Sequence, residues 1–149
     1  MAEPVRILLV DDDPALRQLT RSLLDFALEH VEHEVLEASD GVDALDQCER
    51  NEVAVMVLDM HMPRLDGHGV LHALAERSPR PQVVAWTADP IALRLASAEG
   101  ADATVQKASD INDLTNAVRS CLLLAGAATE GLIPGARGSL ENGETVQRP

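Results

Sequence analysis

The fold is decided by the stretch Val55-Met56-Val57-Leu58-Asp59-Met60-His61-Met62-Pro63. It begins as an apolar run with β-branched residues, which is typical of a strand buried on both faces of a parallel sheet. The run ends in the carboxylate of Asp59, and the Met-Pro pair then turns the chain out of the strand. A residue in that position lies at the crevice where open α/β sheets bind ligands. By itself Asp59 would more readily be interpreted as a strand cap, but three other predicted strands end in residues that suit the same site.

The composition is that of one ordinary globular domain. The chain has 149 residues, of which 46% are hydrophobic and 25% are charged, and it is long enough to bury a substantial core. Aromatic residues make up only 1%, so the core must be aliphatic. The net charge of -13 argues against DNA, RNA or a membrane surface as a partner, because phosphates and anionic lipids would repel the protein. It favours a divalent cation or a basic protein surface.

The cysteines indicate the compartment. Cys48 and Cys121 are the only cysteines and lack the spacing of a metal site, so we expect two free thiols in a reducing compartment. No basic-then-apolar signal sequence is visible, and no apolar run is long enough to span a bilayer. We therefore expect a cytoplasmic protein with no membrane partner.

Apolar periodicity predicts strands that alternate with helices. The strands are predicted at 5–10, 33–38, 53–58, 82–86 and 103–106. The helices are predicted to follow N-capping residues, namely Asp13, Asp40, Asp66, Asp89, and Ser109 or Asp110. This alternation predicts right-handed βαβ units and an α/β fold, a five-stranded parallel sheet with helices on both faces. We expect this domain at 1–124 and a flexible tail at 125–149, which lacks an apolar period, with no output domain.

The predicted strands deliver polar residues to one edge of the sheet. The first strand ends at Asp11 and Asp12, the third at Asp59, the fourth at Thr87 and the fifth at Lys107. Clustered carboxylates hold a proton unless a cation is present, and oxygen ligands of this kind suit Mg²⁺. The lysine offers a positive charge to an anion and the threonine a hydroxyl donor. A carboxylate nucleophile, a metal site and these two groups are what phosphoryl transfer onto an aspartate requires.

These residues resemble the receiver domain of bacterial two-component response regulators, of the stand-alone, chemotaxis-regulator-like kind. The resemblance covers roughly 5–124 and implies the flavodoxin-like (βα)5 receiver fold. It is carried by four segments in the right order: Val10-Asp11-Asp12-Asp13-Pro14, Leu58-Asp59-Met60-His61-Met62-Pro63-Arg64-Leu65-Asp66-Gly67, Trp86-Thr87-Ala88 and Lys107.

The resemblance implies a signalling switch rather than an enzyme that acts on other substrates. Asp59 would accept a phosphoryl group from a phosphohistidine of a histidine kinase or phosphotransfer protein. Asp12, Asp59 and the backbone carbonyl of His61 would ligate Mg²⁺, and Asp11 would reach the ion through a water molecule.

The resemblance also implies how the signal leaves the site. Lys107 would pair with the phosphoryl oxygens. Thr87 would turn toward the phosphoryl group and reshape the face formed by the fourth helix, the fifth strand and the fifth helix. A downstream protein partner would bind that face.

Two departures from the family pattern keep alternatives open. Ala108 follows Lys107 where the family usually has proline in a cis bond, and a cis bond before a non-proline residue costs about 2.5–4 kcal/mol. Thr104 stands where the family often has an aromatic residue. A degenerate receiver that binds a partner without phosphorylation is therefore one alternative. A haloacid-dehalogenase-type phosphatase is another, although that class places its nucleophile after the first strand with a second Asp two residues on.

Three further residues have predicted surroundings. His68 and His72 have the spacing of a helical zinc pair, but no third ligand is evident in the sequence nearby, so a metal role is the minor interpretation.

Trp86 precedes Thr87 in a strand, where successive side chains point to opposite faces. Its indole is therefore expected to face away from the phosphoryl site.

Overall fold

Strands and helices alternate along the chain, as the apolar periodicity predicts. The computed structural model describes residues 3–126, so the predicted flexible tail at 125–149 lies almost wholly outside the described residues. The elements, in chain order, are β1 (Val5–Val10), α1 (Pro14–Ala27), β2 (His33–Ala38), α2 (Gly41–Arg50), β3 (Val55–Leu58), α3 (Gly67–Leu74), β4 (Gln82–Thr87), α4 (Pro90–Ala98), β5 (Ala103–Gln106) and α5 (Ile111–Leu124).

The strands form one parallel sheet in the order β2-β1-β3-β4-β5. The predicted fold class is therefore confirmed. The central pairing places Val10 beside Leu58, so that β1 and β3 end at the same level. The chain winds in one direction from β1 to β2 and in the other from β3 onward, and ligands bind at such a switch point. Two predicted strand limits were wrong by one or two residues, since β3 begins at Val55 and β4 runs on through Thr87.

The core consists of two apolar layers, one on each face of the sheet. Alternate residues of a strand point to opposite faces, so Ile7 and Leu9 enter one layer while Leu8 and Val10 enter the other. The first layer packs against α1 and α5, and the second against α2, α3 and α4. All residues of β3 are buried, as expected for the central strand of a sheet covered on both faces.

Aspartate side chains cap each of the five helices. Each carboxylate accepts a hydrogen bond from a backbone N–H of the first helical turn, and the capping residues are Asp13, Asp40, Asp66, Asp89 and Asp110. Of the two candidates for the last helix, Asp110 is the cap, while the Ser109 hydroxyl donates to the Gln106 carbonyl at 2.6 Å. Each cap contributes about 1 kcal/mol.

The loop between β3 and α3 is fastened to the start of α2. Arg64, whose φ is 67°, donates from Nε to Asp40 Oδ2 at 2.7 Å. The Gly41 N–H donates to the Leu65 carbonyl at 2.9 Å. These contacts fix the segment that follows Asp59 against a neighbouring helix.

The same loop packs so closely that Gly67 has no room for a side chain. A Cβ at Gly67 would lie 2.7 Å from Met60 Cα and 2.8 Å from the Asp59 carbonyl oxygen. Both are backbone atoms, which cannot yield without moving the loop. Gly67 therefore sets the position of the chain immediately after Asp59.

We expect Gly67→Ala to lower the free energy of unfolding by about 1–3 kcal/mol, the usual cost of overpacking. Gly69→Ala is the matched control in the same helical turn, because its Cβ would meet the flexible end of the Leu65 side chain. There alanine should be neutral or stabilising by up to about 1 kcal/mol through helix propensity. Urea unfolding measures both, and equal losses in the two variants would contradict the assignment.

Candidate functional site

Three carboxylates converge at the carboxyl ends of β1 and β3. One oxygen each from Asp11, Asp12 and Asp59 lies within 4.8 Å of the others. The sheet holds them together, because the Asp59 N–H donates to the Val10 carbonyl at 2.9 Å. Asp11 and Asp59 are buried, whereas Asp12 is exposed. The crevice thus combines two desolvated carboxylates with one that faces solvent.

Lys107, which directly follows β5, brings a positive charge to this cluster. Its Nζ lies 2.9 Å from Asp11 Oδ2 and 3.6 Å from Asp59 Oδ2. The Lys107–Ala108 peptide bond is trans, so the lysine reaches both carboxylates without the cis bond that is usual in the family. The Lys107 N–H donates to the Thr87 carbonyl at 3.0 Å. This backbone contact places buried Thr87 beside the lysine at the end of β4.

The ionisation of Asp59 reflects this crowding. Burial raises the pKa of Asp59, and the nearby charge of Asp11 raises it further. Lys107 and the His61 N–H, which donates to Asp59 Oδ1 at 3.3 Å, act in the opposite direction. The net pKa of Asp59 lies above its ordinary value. Lys107 therefore does not fully offset the effects of burial and of Asp11 on Asp59. An additional cation in the crevice would favour the ionised form of Asp59.

A second polar pair spans the loops at the edge of the crevice. His61 Nε2 donates to Asp89 Oδ2 at 3.1 Å, joining the loop after β3 to the loop after β4. Both side chains are substantially exposed. The hydrogen bond from His61 lowers the pKa of Asp89, together with the N–H of Ile91 at the start of α4. Asp89 is thus the predicted helix cap and also a partner of His61.

Arg17 is a contact of the site that sequence reasoning missed. Its guanidinium donates to the backbone carbonyl of Asp11, and its Nε donates to Glu37 Oε1 at 2.9 Å. Arg21 donates to the other oxygen of Glu37 at 2.9 Å. Burial alone would raise the pKa of Glu37, but the two arginines together lower it. The spacing of Arg17 and Arg21 on one face of α1 was a signal, although nothing local identifies Glu37 as their partner.

The predicted face of Trp86 is confirmed, but the ring has a neighbour that was not predicted. Its indole belongs to the apolar layer under α1 and α5, as strand alternation requires. However, Lys107 Nζ lies 5.2 Å from the centre of the indole ring, within the range of a cation–π interaction. The lysine is long enough to contact both the carboxylates and the ring, so Trp86 adjoins the site.

Comparison with known proteins identifies the family. Residues 7–119 match the response regulator receiver domain, and the chain belongs to that family. Membership implies phosphorylation-controlled signalling. In residues 3–126, no helix combines the length and the apolar character needed to cross a membrane.

Individual relatives agree with this assignment. The response regulator MprA of Mycobacterium sp. (strain KMS) is 39% identical over 121 residues, which is 80% of this chain and 51% of the relative. The probable transcriptional regulator ycf27 of Porphyridium aerugineum is 31% identical over 118 residues, 78% of this chain and 48% of the relative. The chain therefore spans about half the length of the curated relatives it matches.

A solved structure supports the fold. The CheY-like receiver domain protein from Methanospirillum hungatei JF-1 superposes with a TM-score of 0.73 at 24% identity, over 83% of this chain and 98% of the other. At that identity the likeness concerns the fold alone. It matches the parallel five-stranded sheet described above.

We expect metal-free Asp59→Asn to be more stable than the wild type at neutral pH. The pKa of Asp59 is raised in the folded state, so its contribution to stability is full below the ordinary aspartate pKa and is lost as pH rises through the folded pKa. The advantage of Asp59→Asn should therefore be small in acid and grow toward neutral pH.

Urea unfolding in a chelating buffer at several pH values measures this difference. Asp46→Asn is the control, because Asp46 is exposed on α2 and lies outside the crevice. A wild type more stable than Asp59→Asn at neutral pH would show that Lys107 already compensates the cluster.

Proposed function

We propose that Asp59 is the phosphoacceptor of a two-component signalling switch. The donor would be a phosphohistidine of a histidine kinase or phosphotransfer protein. An Asp59 oxygen would bond to phosphorus while the phosphorus–nitrogen bond of the donor breaks and the histidine leaves. The observation that carries this proposal is the convergence of Asp11, Asp12 and Asp59 under Lys107 in a chain of the receiver family.

The donor set fits Mg²⁺. Its ligand atoms are carboxylate oxygens, which hard cations prefer. Burial and the charge of Asp11 raise the pKa of Asp59, and a bound cation would favour its ionised form. Asp12, Asp59 and the His61 backbone carbonyl would hold the ion, with Asp11 acting through water. When bound, Mg²⁺ would supply charge neutralisation for the transferring phosphoryl group.

Lys107 and Thr87 would serve the phosphoryl group itself. The Lys107 ammonium group now contacts both Asp11 and Asp59. A phosphorylated Asp59 would carry more negative charge and would attract the lysine more strongly. Thr87 ends the strand next to the lysine, and its hydroxyl would donate to a phosphoryl oxygen. Both residues would then move relative to their present contacts.

The partner surface would be the face formed by α4, β5 and α5. Ile91 and Leu95 on α4 are 60% and 50% exposed, and Thr104 and Gln106 of β5 lie exposed in the groove beside α5. Exposed aliphatic residues beside a polar groove suit a protein partner. Some relatives are named as transcriptional regulators, but for this chain we propose a protein target and no direct DNA contact, because its net charge is -13.

We expect acetyl phosphate with Mg²⁺ to add the mass of one phosphoryl group to the full chain, as measured by intact mass spectrometry. Asp59→Asn should gain none. Lys107→Ala should accept it roughly a hundredfold more slowly, the usual loss on removing one preorganised electrostatic partner. Asp46→Asn should behave as wild type.

An unmodified wild type would favour the degenerate receiver, whose partner binding needs no phosphorylation. Modification that persists in Asp59→Asn would place the acceptor elsewhere. The phosphatase alternative has no support in the family to which the chain belongs, and turnover of small phosphate esters that is lost in Asp59→Asn would revive it.

We expect Mg²⁺ with beryllofluoride, a phosphoryl mimic, to change the fluorescence of Trp86 more than Mg²⁺ alone. Trp86 is the only tryptophan and the chain has no tyrosine. Lys107 Nζ now lies 5.2 Å from the centre of the indole ring, and the mimic should draw it away from the ring. Lys107→Met should therefore lose most of the response, and Thr87→Ala should lose less. The reverse order would show that Thr87 drives the change.

A further inference from the structure

Three side chains with metal-binding atoms meet where α3 adjoins α4, away from the acidic crevice. His68 and His72 lie one turn apart on α3, and Glu99 directly follows α4 as its C-cap. His68 Nδ1 donates to Glu99 Oε1 at 2.5 Å, and His72 Nε2 lies 3.5 Å from Glu99 Oε2. One carboxylate thus faces both imidazoles, with one oxygen toward each.

We propose that His68, His72 and Glu99 form a binding site for a divalent transition-metal ion of the Zn²⁺ type. The sequence supplies the histidine pair at helical spacing, and the fold adds the third ligand from a residue 31 positions away. Two imidazoles and one carboxylate are a donor set that binds zinc and leaves a coordination position open. Mg²⁺ prefers oxygen ligands, so the two sites of the protein would select different ions.

The surroundings allow an ion to enter and to be held. His72 is 73% exposed, while His68 and Glu99 are each 25% exposed, so an ion from solvent can reach the group past His72. The Glu99 backbone is anchored, because its N–H donates to the carbonyls of Leu95 and Ala96 at 2.9 and 3.1 Å. Two ligands therefore stand on fixed, partly buried positions.

The exposed ligand must move for the ion to bind. Among residues 3–126, Asp11, Asp12 and Asp59 are the group whose three ligand atoms already lie within 4.8 Å of one another, and the histidine site is looser. Rotation of the exposed His72 side chain would bring its nitrogen to an ion shared with His68 and Glu99. That rotation costs side-chain entropy, so the affinity should be lower than that of a fully preformed site.

A plain ion pair explains the arrangement less well. Exposed pairs contribute little to stability, and a single histidine would satisfy Glu99 as a hydrogen-bond partner. An imidazole also binds metals in its neutral form, so the metal role does not require either histidine to be charged. A bound ion would tie α3 to α4 through side chains at one point.

The test is a titration of the full chain, first stripped with chelator and then held in excess Mg²⁺ to saturate the acidic crevice. We expect calorimetry to show one Zn²⁺ bound per chain, and Co²⁺ to give a visible spectrum without a thiolate band. His72→Gln and Glu99→Gln should each weaken Zn²⁺ binding by at least about 10–100-fold, the usual loss on removing only an outer-shell partner of a ligand. Circular dichroism confirms folding of these surface variants.

The controls separate this site from the rest of the protein. His30→Gln removes a histidine whose side chain is also 73% exposed and should leave Zn²⁺ affinity unchanged, as should Asp12→Ala in the crevice. The proposal is overturned if the chain binds no Zn²⁺ in excess Mg²⁺, if binding survives both His72→Gln and Glu99→Gln, or if it is lost in Asp12→Ala. None of these outcomes depends on whether Asp59 is phosphorylated.

Discussion

Negative charge held in a poorly hydrated crevice is the constraint on which the rest of this structure depends. Asp11 and Asp59 are buried side by side because β1 and β3 are neighbours that end at the same level. Burial and the charge of Asp11 together raise the pKa of Asp59, and Lys107 offsets only part of that rise. The close packing at Gly67 and the Arg64–Asp40 pair keep the loop in place although its carboxylate repels its neighbours.

The fold could be predicted because its signals are local. Asp-Pro pairs mark two helix starts, and short apolar runs mark the strands. The convergence of the candidate site residues was predictable for a related reason, since they end or closely follow parallel strands, whose carboxyl ends meet at one edge of the sheet. Two contacts could not be predicted. They are the pairing of Glu99 with the histidines of the proposed zinc site, and the pairing of His61 with Asp89. Each contact joins residues about thirty positions apart, and no periodicity specifies which loop or helix end meets which.

The contact between Lys107 and Trp86 was missed for a similar reason. Alternation along a strand gave the correct face for the indole, but it says nothing about a long side chain that arrives from another strand. The Lys107 ammonium group lies over the Trp86 ring and also contacts Asp11. The family position that often holds an aromatic is Thr104, which is exposed. The one buried aromatic of the described chain therefore lies under the lysine, in the layer beneath α1 and α5, rather than on β5.

The two apolar layers are separated by the sheet, and this division affects how the sequence can evolve. The buried clusters under α1 and α5 and under α2, α3 and α4 share no residues. Substitutions that are far apart and have no common partners combine additively, so a repacked side chain in one layer need not be matched by a change in the other. One helical surface can therefore acquire a new specificity by gradual substitution while the opposite surface, and the carboxylates at the end of the sheet, keep their arrangement.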